Sequence, residues 1–515
     1  MPDRRVVMGL LFFPRGGSAH VCRYLGLALE DAGWSTALVA GSVGGPGEST
    51  HGPTFFSGLE LHHLDYTEAI AAFERGGSAI EAPVPLHPSY EDREGAPDVV
   101  LAAVDPTLAR HLAAAWESPL EAAGAAAADI LHLHHLTPQH DAARARWPEV
   151  PLLAHLHGTE IKLIEAIEER AAVAAALGTT LAGMGEPGAC GWRRDALSEA
   201  QSEILDTTRW SQWRHGAFWA AHLRGQASRA DHVVAVSPPD RATAVSLLRL
   251  DEDRVTDVPN GVDTEHFRPR AVSPSERTAL LRRCLVEDAR GWDESGVPGS
   301  VRYTPADVDR MLGPDGAGTV LIFVGRFTGA KRVPLLVEAF ARAKARATGP
   351  LSLLVWGGHP GEWEGEHPVT TARRVGGDGL YFAGWRGHED LPDGLAVSDA
   401  LVMPSVNDSY PQTPLEAMAV GLPVIATLSG GFPSMINLDP SLPTGWLVSP
   451  DDVEALADAL LQATQTPGEL ARRGAAALDH ARRNLSWTGR VSAVEDAYAR
   501  ATDRAQRRAA GGSDH

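Results

Sequence analysis

The sequence predicts an α/β protein built from two Rossmann-like, doubly wound domains, and three observations carry that prediction. Short apolar runs of strand length alternate with helical patterns from Arg4 to Val258. The alternation starts again at Val320, after a turn-rich stretch. At 515 residues and 44% hydrophobic composition, the chain is too long for one ordinary core and a natural length for two large domains.

The first run, Arg4 to Phe13, has the length of a buried strand and is broken by Pro14-Arg15-Gly16-Gly17. From Ser18 a helical pattern follows, with Val21, Leu25, Ala28 and Leu29 on one face, until Gly33 stops it. Thr36 to Ala40 then completes a βαβ unit. Further strands are predicted at Asp129 to Leu136, Pro151 to Leu156, His232 to Val236 and Val255 to Val258. The second series is Val320 to Val324, Leu351 to Trp356, Leu380 to Phe382, Leu401 to Met403 and Pro423 to Ala426, with helices at Leu335 to Lys344 and Leu415 to Ala419 between them. The expected domains are therefore 1–270 and 318–480, joined by a connection and surface insertion at 271–317 and followed by a C-terminal helix and tail at 481–515. Residues 452–464 and 468–506 are helical in period.

A formal net charge of -20 argues against nucleic acid and anionic membranes as partners. No apolar run reaches the roughly 20 residues of a membrane span, and no small-residue cleavage site follows Phe13, so a cytoplasmic protein is expected. Cys22, Cys190 and Cys284 have no paired spacing and read as reduced thiols. His132 and His134 share a strand face, but no cysteine or close carboxylate completes a tetrahedral set, and no metal site is expected. Asp307-x-Asp309 lies inside the helical pattern Thr304 to Leu312 and reads as a solvated face.

The glycine loop at Gly16 and Gly17 stands between a strand and a helix N-terminus, where main-chain N–H groups favour an anion or a sugar. It lacks the Gly-x-Gly-x-x-Gly order, and the second strand ends in Ala40-Gly41-Ser42 without a ribose-binding acid, which disfavours a dinucleotide oxidoreductase. In the second half, Gly325-Arg326 closes a strand and Lys331 follows five residues later, so two cations sit where a departing diphosphate would need them. After Leu401-Val402-Met403 comes Pro404-Ser405-Val406-Asn407-Asp408-Ser409-Tyr410-Pro411-Gln412-Thr413-Pro414-Leu415-Glu416, in which seven residues separate Asp408 from Glu416.

This pattern resembles the Glu-x7-Glu signature of the retaining GT-B glycosyltransferases, in particular glycosyltransferase family 4. The resemblance extends to Val258-Pro259-Asn260-Gly261-Val262-Asp263, to Ala235-Val236-Ser237, to the Gly16-Gly17 loop and to Gly445-Trp446-Leu447-Val448. It implies the GT-B fold, two Rossmann-like domains facing across a cleft that closes on the donor, and transfer of a sugar from a nucleotide-diphosphate sugar of UDP or GDP type. The acceptor would be a small molecule, the mechanism front-face, retaining and metal-independent, with no tightly bound cofactor, no nucleic acid and no integral membrane span. A homodimer is compatible with it.

Carried over to this chain, the resemblance has Glu416 hold the nucleotide ribose and Asp408 contact the donor sugar. Arg326 and Lys331 would stabilise the leaving diphosphate, and His157, after the strand Pro151 to Leu156, would contact the sugar. Gly16, Gly17, Asn260, Gly325, Arg386, Ser409, Tyr410, Gln412 and Thr413 complete the expected donor-binding set. Asp408 stands where a Glu is usual, and Ser434 where an acid would follow Gly430-Gly431. A non-catalytic sugar-nucleotide protein and a nucleotide-sugar epimerase therefore remain as alternatives. Two stretches of the first domain are candidate acceptor surfaces: the loop His87 to Arg93, and the segment Glu160 to Gln226, where Trp192, Trp210, Trp213, Phe218 and Trp219 are interleaved with arginines.

Overall fold

Apolar runs such as Val6 to Leu11 contain no alternating polar positions, so a strand made from them must be covered on both faces. The computed structural model describes residues 4–189, 191–466 and 468–511, so Cys190 lies outside the described residues. It divides into two units, Met1–Pro259 with Arg490–His515, and Asn260–Gly489.

In the first unit the strands are β1 (Arg4–Leu10), β2 (Trp34–Ser42), β3 (Glu60–Asp65), β4 (Ile130–His134), β5 (Leu152–His155), β6 (His232–Ala235) and β7 (Val255–Asp257). They form one parallel sheet in the order β3-β2-β1-β4-β5-β6-β7. Val7, Leu131, Leu133 and Ala154 fill its core with Trp219 and Leu223 from the helix Gly216–Arg229. The strand β3 has no apolar run, because an edge strand reading Glu-Leu-His-His-Leu-Asp needs only its ladder with β2.

The helical pattern at 468–506 is interrupted. Helix Glu469–His480 runs into a π-turn at Ala481–Leu485, Ser486 is extended, and a new helix spans Trp487–Ala509. Ser486 Oγ accepts the main-chain N–H of Gly489 at 3.2 Å and so supplies the start of that helix. From Arg490 onward the helix belongs to the first unit. Tyr498 meets His132 there, and Glu495 accepts from both Arg4 and Trp34.

The second unit contains β8 (Thr319–Gly325), β9 (Leu351–Gly357), β10 (Leu380–Gly384), β11 (Ala400–Met403), β12 (Val424–Thr427) and β13 (Gly445–Val448), all parallel, in the order β10-β9-β8-β11-β12-β13. The stretch 271–317 is packed into this unit. Arg277 pairs with Asp399 at 2.7 Å, and the buried Trp292 donates to Gly358 O at 2.8 Å. Each sheet reverses its strand order once near its middle, between β1 and β4 and between β8 and β11. Among the described residues, no helix is long and apolar enough to cross a membrane.

The first unit buries unusual polarity. Burial pushes the imidazoles of His140 and His155 down to about 3 and that of His87 to about 4, from 6.5. The unfolded chain therefore takes up protons near pH 6.5 while the folded chain does not. Stability present above pH 6.5 should be lost as the pH falls towards 3, by up to ~1.4 kcal/mol per pH unit for each ring. Thermal melts in a pH series should show Tm falling steadily between pH 6.5 and 4.5; a flat profile there would mean these rings charge without cost.

Candidate active site

At a reversal of strand order, the loops leaving two neighbouring parallel strands turn to opposite faces and leave room for a ligand beyond their carboxyl ends. In the second unit the two strands are β8 and β11. Gly325 ends β8 with Arg326 exposed after it, and the short turn Gly329–Lys331 follows. Beyond β11, the loop from Pro404 leads into the helix Gln412–Ala419.

Main-chain contacts bind these loops together. Val406 N donates to Ala330 O at 2.8 Å, Asn407 N to Ser429 Oγ at 2.9 Å, and Gly431 N to Asp408 O at 2.8 Å. Asn260, buried, donates its side-chain amide to Tyr410 O at 3.0 Å. The approach of Gly430-Gly431 is so close that only glycine fits. A Cβ on Gly430, whose φ is 58°, would lie 2.0 Å from Asp408 O, and one on Gly431 would lie 2.0 Å from Ser409 O.

The side chains expected to hold a donor converge here. Lys331 Nζ lies 3.0 and 2.8 Å from the two carboxylate oxygens of Asp408, and both side chains keep 16% exposure. The expected phosphate cation and the expected sugar carboxylate thus form a two-point, solvent-accessible ion pair. Glu416 lies one turn into its helix, almost wholly buried, and accepts from His388 Nε2 at 2.9 Å. His388 is itself stacked on His266 and set edge-on to Phe267. Ser409 Oγ and Gln412 Nε2 are buried polar atoms with no protein partner among the described residues, beside the first turn of the same helix. Thr413 is partly exposed in that turn.

Arg386 is placed differently. Its side chain is 3% exposed, with Nη1 2.9 Å from Asp288 and Nη2 2.6 Å from Cys284 O, so its guanidinium ties β10 to the segment 283–288. His388, two residues further on, is the residue from this loop that reaches Glu416, and sequence reasoning missed it.

In the first unit, Gly16 has φ 81° and begins the helix Gly17–Asp31, with open space where a side chain would be. His157 follows β5 at the same carboxyl edge, partly exposed, immediately before the helix Thr159–Ala176. Its main-chain N–H points to the buried carboxylate of Glu160, 3.3 Å from both oxygens, and Glu160 also lies 2.8 Å from His135 Nδ1. His134 Nδ1 is 2.9 Å from His157 Nε2, and His132 Nε2 is 3.0 Å from His155 Nδ1. Burial and the neighbouring imidazoles hold His132, His134 and His157 well below the ordinary histidine range.

His132, His134 and His155 offer ring nitrogens within 4.8 Å of one another. Their planes are inclined by only 14–26°, and His132 and His155 already face each other edge to edge. A tetrahedral ion needs in-plane lone pairs that converge, which near-parallel rings in this arrangement do not provide. His266, His388 and Glu389 also lie within 4.8 Å of one another, but His388 Nε2 is engaged by Glu416.

Of the candidate acceptor segments, Trp213 and Trp219 are core residues, with Arg170 over the Trp213 ring and Trp219 Nε1 bound to Val104 O. A cavity of about 140 Å³ opens beside the loop at 87–93, lined in part by Asp92, Arg93, Asp98 and Arg209. Its two arginines are paired, Arg93 with Asp98 and Arg209 with Asp92.

Comparison with known proteins gives this geometry a context. The family described as Glycosyltransferase Family 4 matches residues 15–266, and that described as Glycosyl transferases group 1 matches residues 318–466. The chain belongs to glycosyltransferase family 4. Among relatives of this family, a D-inositol 3-phosphate glycosyltransferase 2 of Catenulispora acidiphila is 30% identical over 281 residues, 53% of this chain and 57% of that protein. The chain thus spans about half the length of the curated relatives it matches. Among solved structures, sucrose-phosphate synthase from Thermosynechococcus elongatus superposes with a TM-score of 0.60 at 17% identity, over 96% of this chain and 98% of the other. Anabaena HepE in complex with UDP-glucose gives 0.56 at 13% identity, over 96% and 99%. These likenesses identify the family 4 fold as GT-B.

The contact of Gly430-Gly431 with Asp408-Ser409 generates a direct prediction. Gly430→Ala should displace the Asp408 loop, lowering stability by roughly 1–3 kcal/mol in denaturant titration. An unchanged unfolding midpoint would show that the loop tolerates the added methyl group without cost.

Proposed function

We propose that this chain transfers a sugar from a nucleotide-diphosphate sugar, of UDP or GDP type, to a small-molecule acceptor, with retention of configuration and without a metal ion. The observation that carries the reading is the ion pair of Lys331 with Asp408 across the loops of one sheet reversal, with Ser409 and Gln412, whose buried polar atoms have no partner among the described residues, and the buried carboxylate of Glu416 following in the same loop and helix.

In this reading Glu416, held in one orientation by His388, accepts hydrogen bonds from the ribose diol through a carboxylate that can serve two hydroxyls. The donor diphosphate competes with Asp408 for Lys331. Once displaced, the Asp408 carboxylate turns to hydroxyls of the sugar, so an internal ion pair is exchanged for two contacts to one ligand. Arg326, Lys331 and main-chain N–H groups, with Gly325 allowing close approach, stabilise the charge that grows as the bond from C1 to the diphosphate oxygen breaks. The acceptor oxygen attacks C1 from the same face, and its proton passes to the leaving diphosphate. In the first unit, the Gly16-Gly17 loop and His157 are assigned to contacts with a sugar.

UDP-glucose is the first donor to assay, since HepE is described with it, and a polyol phosphate is the first acceptor, since the relatives are named for D-inositol 3-phosphate. The reaction is assigned to the cytoplasm.

Glu416→Gln replaces a charge-assisted contact by a neutral one and should weaken binding of the free nucleotide about tenfold by calorimetry. Lys331→Ala should lower kcat by a factor on the order of 100 with a smaller change in acceptor KM. Activity should survive EDTA, and proton NMR of the first product formed should show the donor's anomeric configuration. Restoration of EDTA-treated enzyme by manganese alone, or an inverted product, would refute the mechanism; nucleotide-sugar binding with neither transfer nor hydrolysis would leave a non-catalytic binding protein.

A further inference from the structure

Two consecutive core strands each end in a His-x-His pattern, His132-x-His134 on β4 and His155-x-His157 across the end of β5. In the parallel register His134 stands opposite His155. The four rings form two tiers. In each tier one ring meets the other edge to edge, His132 with His155 at 3.0 Å and His134 with His157 at 2.9 Å, with planes 14° and 24° apart. One tier lies on the other, His132 on His134 with centroids 4.5 Å apart and His155 on His157 at 4.8 Å. Tyr498 OH, 2.7 Å from His132 Nδ1, anchors the inner tier.

A neutral imidazole has one N–H and one lone pair, so each edge-to-edge contact admits two arrangements. In the outer tier, His134 Nδ1 can donate to His157 Nε2, which places the His157 proton on Nδ1. Alternatively His157 Nε2 donates, and the His134 proton must then lie on Nε2. That atom is buried and has no partner among the described residues. Burying an unmet N–H is the rarer and costlier outcome, whereas a lone pair there leaves only an unused acceptor.

We propose that His134 is a positioning residue that holds His157 in the Nδ1-protonated tautomer, making it a neutral hydrogen-bond donor towards an oxygen of the bound donor sugar or its glycosidic phosphate. The inference rests on the role given to His157 above. Burial supports it, because it keeps both rings uncharged at neutral pH, so the direction of the hydrogen bond rather than a net charge defines what His157 presents. The inner tier acts by stacking. It fixes the planes of the two outer rings and hence the line along which the His157 N–H points.

The decisive measurement is nitrogen-15 NMR of the imidazoles in the full chain, with His157 assigned by the loss of its signals in His157→Gln. The wild-type spectrum should show His157 protonated at Nδ1, and His134→Leu should give a mixture of tautomers. His134→Asn places an amide nitrogen where Nδ1 stood and should restore the wild-type form. In transfer assays, His134→Leu should lose kcat roughly tenfold with donor KM within about twofold, and His134→Asn should recover most of the loss. A wild-type His157 protonated at Nε2, or a tautomer unchanged in His134→Leu, overturns the proposal. If the leucine variant does not fold, the wild-type and asparagine spectra still decide it. If the tautomer responds as expected while His157→Gln transfers sugar normally, the assignment of His134 stands and the role of His157 in the reaction falls.

Discussion

A sheet whose strands are all parallel must be covered on both faces, and everything described here depends on that constraint. Crossover helices occupy both faces, so the strand interiors are given over to apolar packing, and a polar ligand can be met only where the strands end. Reversal of strand order then selects one place along that edge. In the second unit it brings the loop after β8 beside the loop after β11, and Lys331 meets Asp408 although the two are 77 residues apart. The Gly430-Gly431 contact fixes the same loop from its other side. The chemistry is thus assembled by backbone geometry, and the side chains are of types common on any protein surface.

The first unit follows the same rule with an exception that is instructive. Imidazoles occupy core positions of β4 and β5, where aliphatic residues would ordinarily be placed. A lone buried imidazole would forfeit its hydrogen bonds with water. Rings paired edge to edge across adjacent strands recover part of them, and the parallel register makes the pairing possible by setting His134 opposite His155. The remaining deficit, at His134 Nε2 and His155 Nε2, which have no partner among the described residues, is the part of this arrangement that packing alone does not explain.

What was legible in the sequence follows from how local each signal is. The central strands could be read because double-sided burial writes them as unbroken apolar runs such as Val6 to Leu11 and Val320 to Val324. Strand β3 could not, since an edge strand of mixed polarity carries no such run. The break at Ser486 was hidden inside a continuous helical period. At the site, the spacing of Asp408 and Glu416 and the cations after β8 were visible as types. Their partners were not: Lys331 pairing with Asp408, His388 with Glu416 and Arg386 with Asp288 all join residues distant in sequence. His132-x-His134 on one strand and His157 after the next were visible singly, whereas their pairing lies in the register between the strands, which no single segment displays.

The last helix, Trp487–Ala509, carries a consequence for dissecting the protein genetically. The polypeptide leaves the first unit after Pro259 and re-enters it at Arg490, so that unit is encoded by two separated stretches of gene. A fragment ending at residue 259 would lack Glu495, Tyr498 and Arg508, leaving His132, Trp34 and the carboxylate of Asp231 without partners they have in the whole chain. An independently folding version would instead need residues 4–259 joined by a linker to residues 490–511. The middle stretch, by contrast, is contiguous and could be exchanged as one cassette between relatives, carrying Lys331, Asp408 and Glu416 with it while the histidine tiers stay behind.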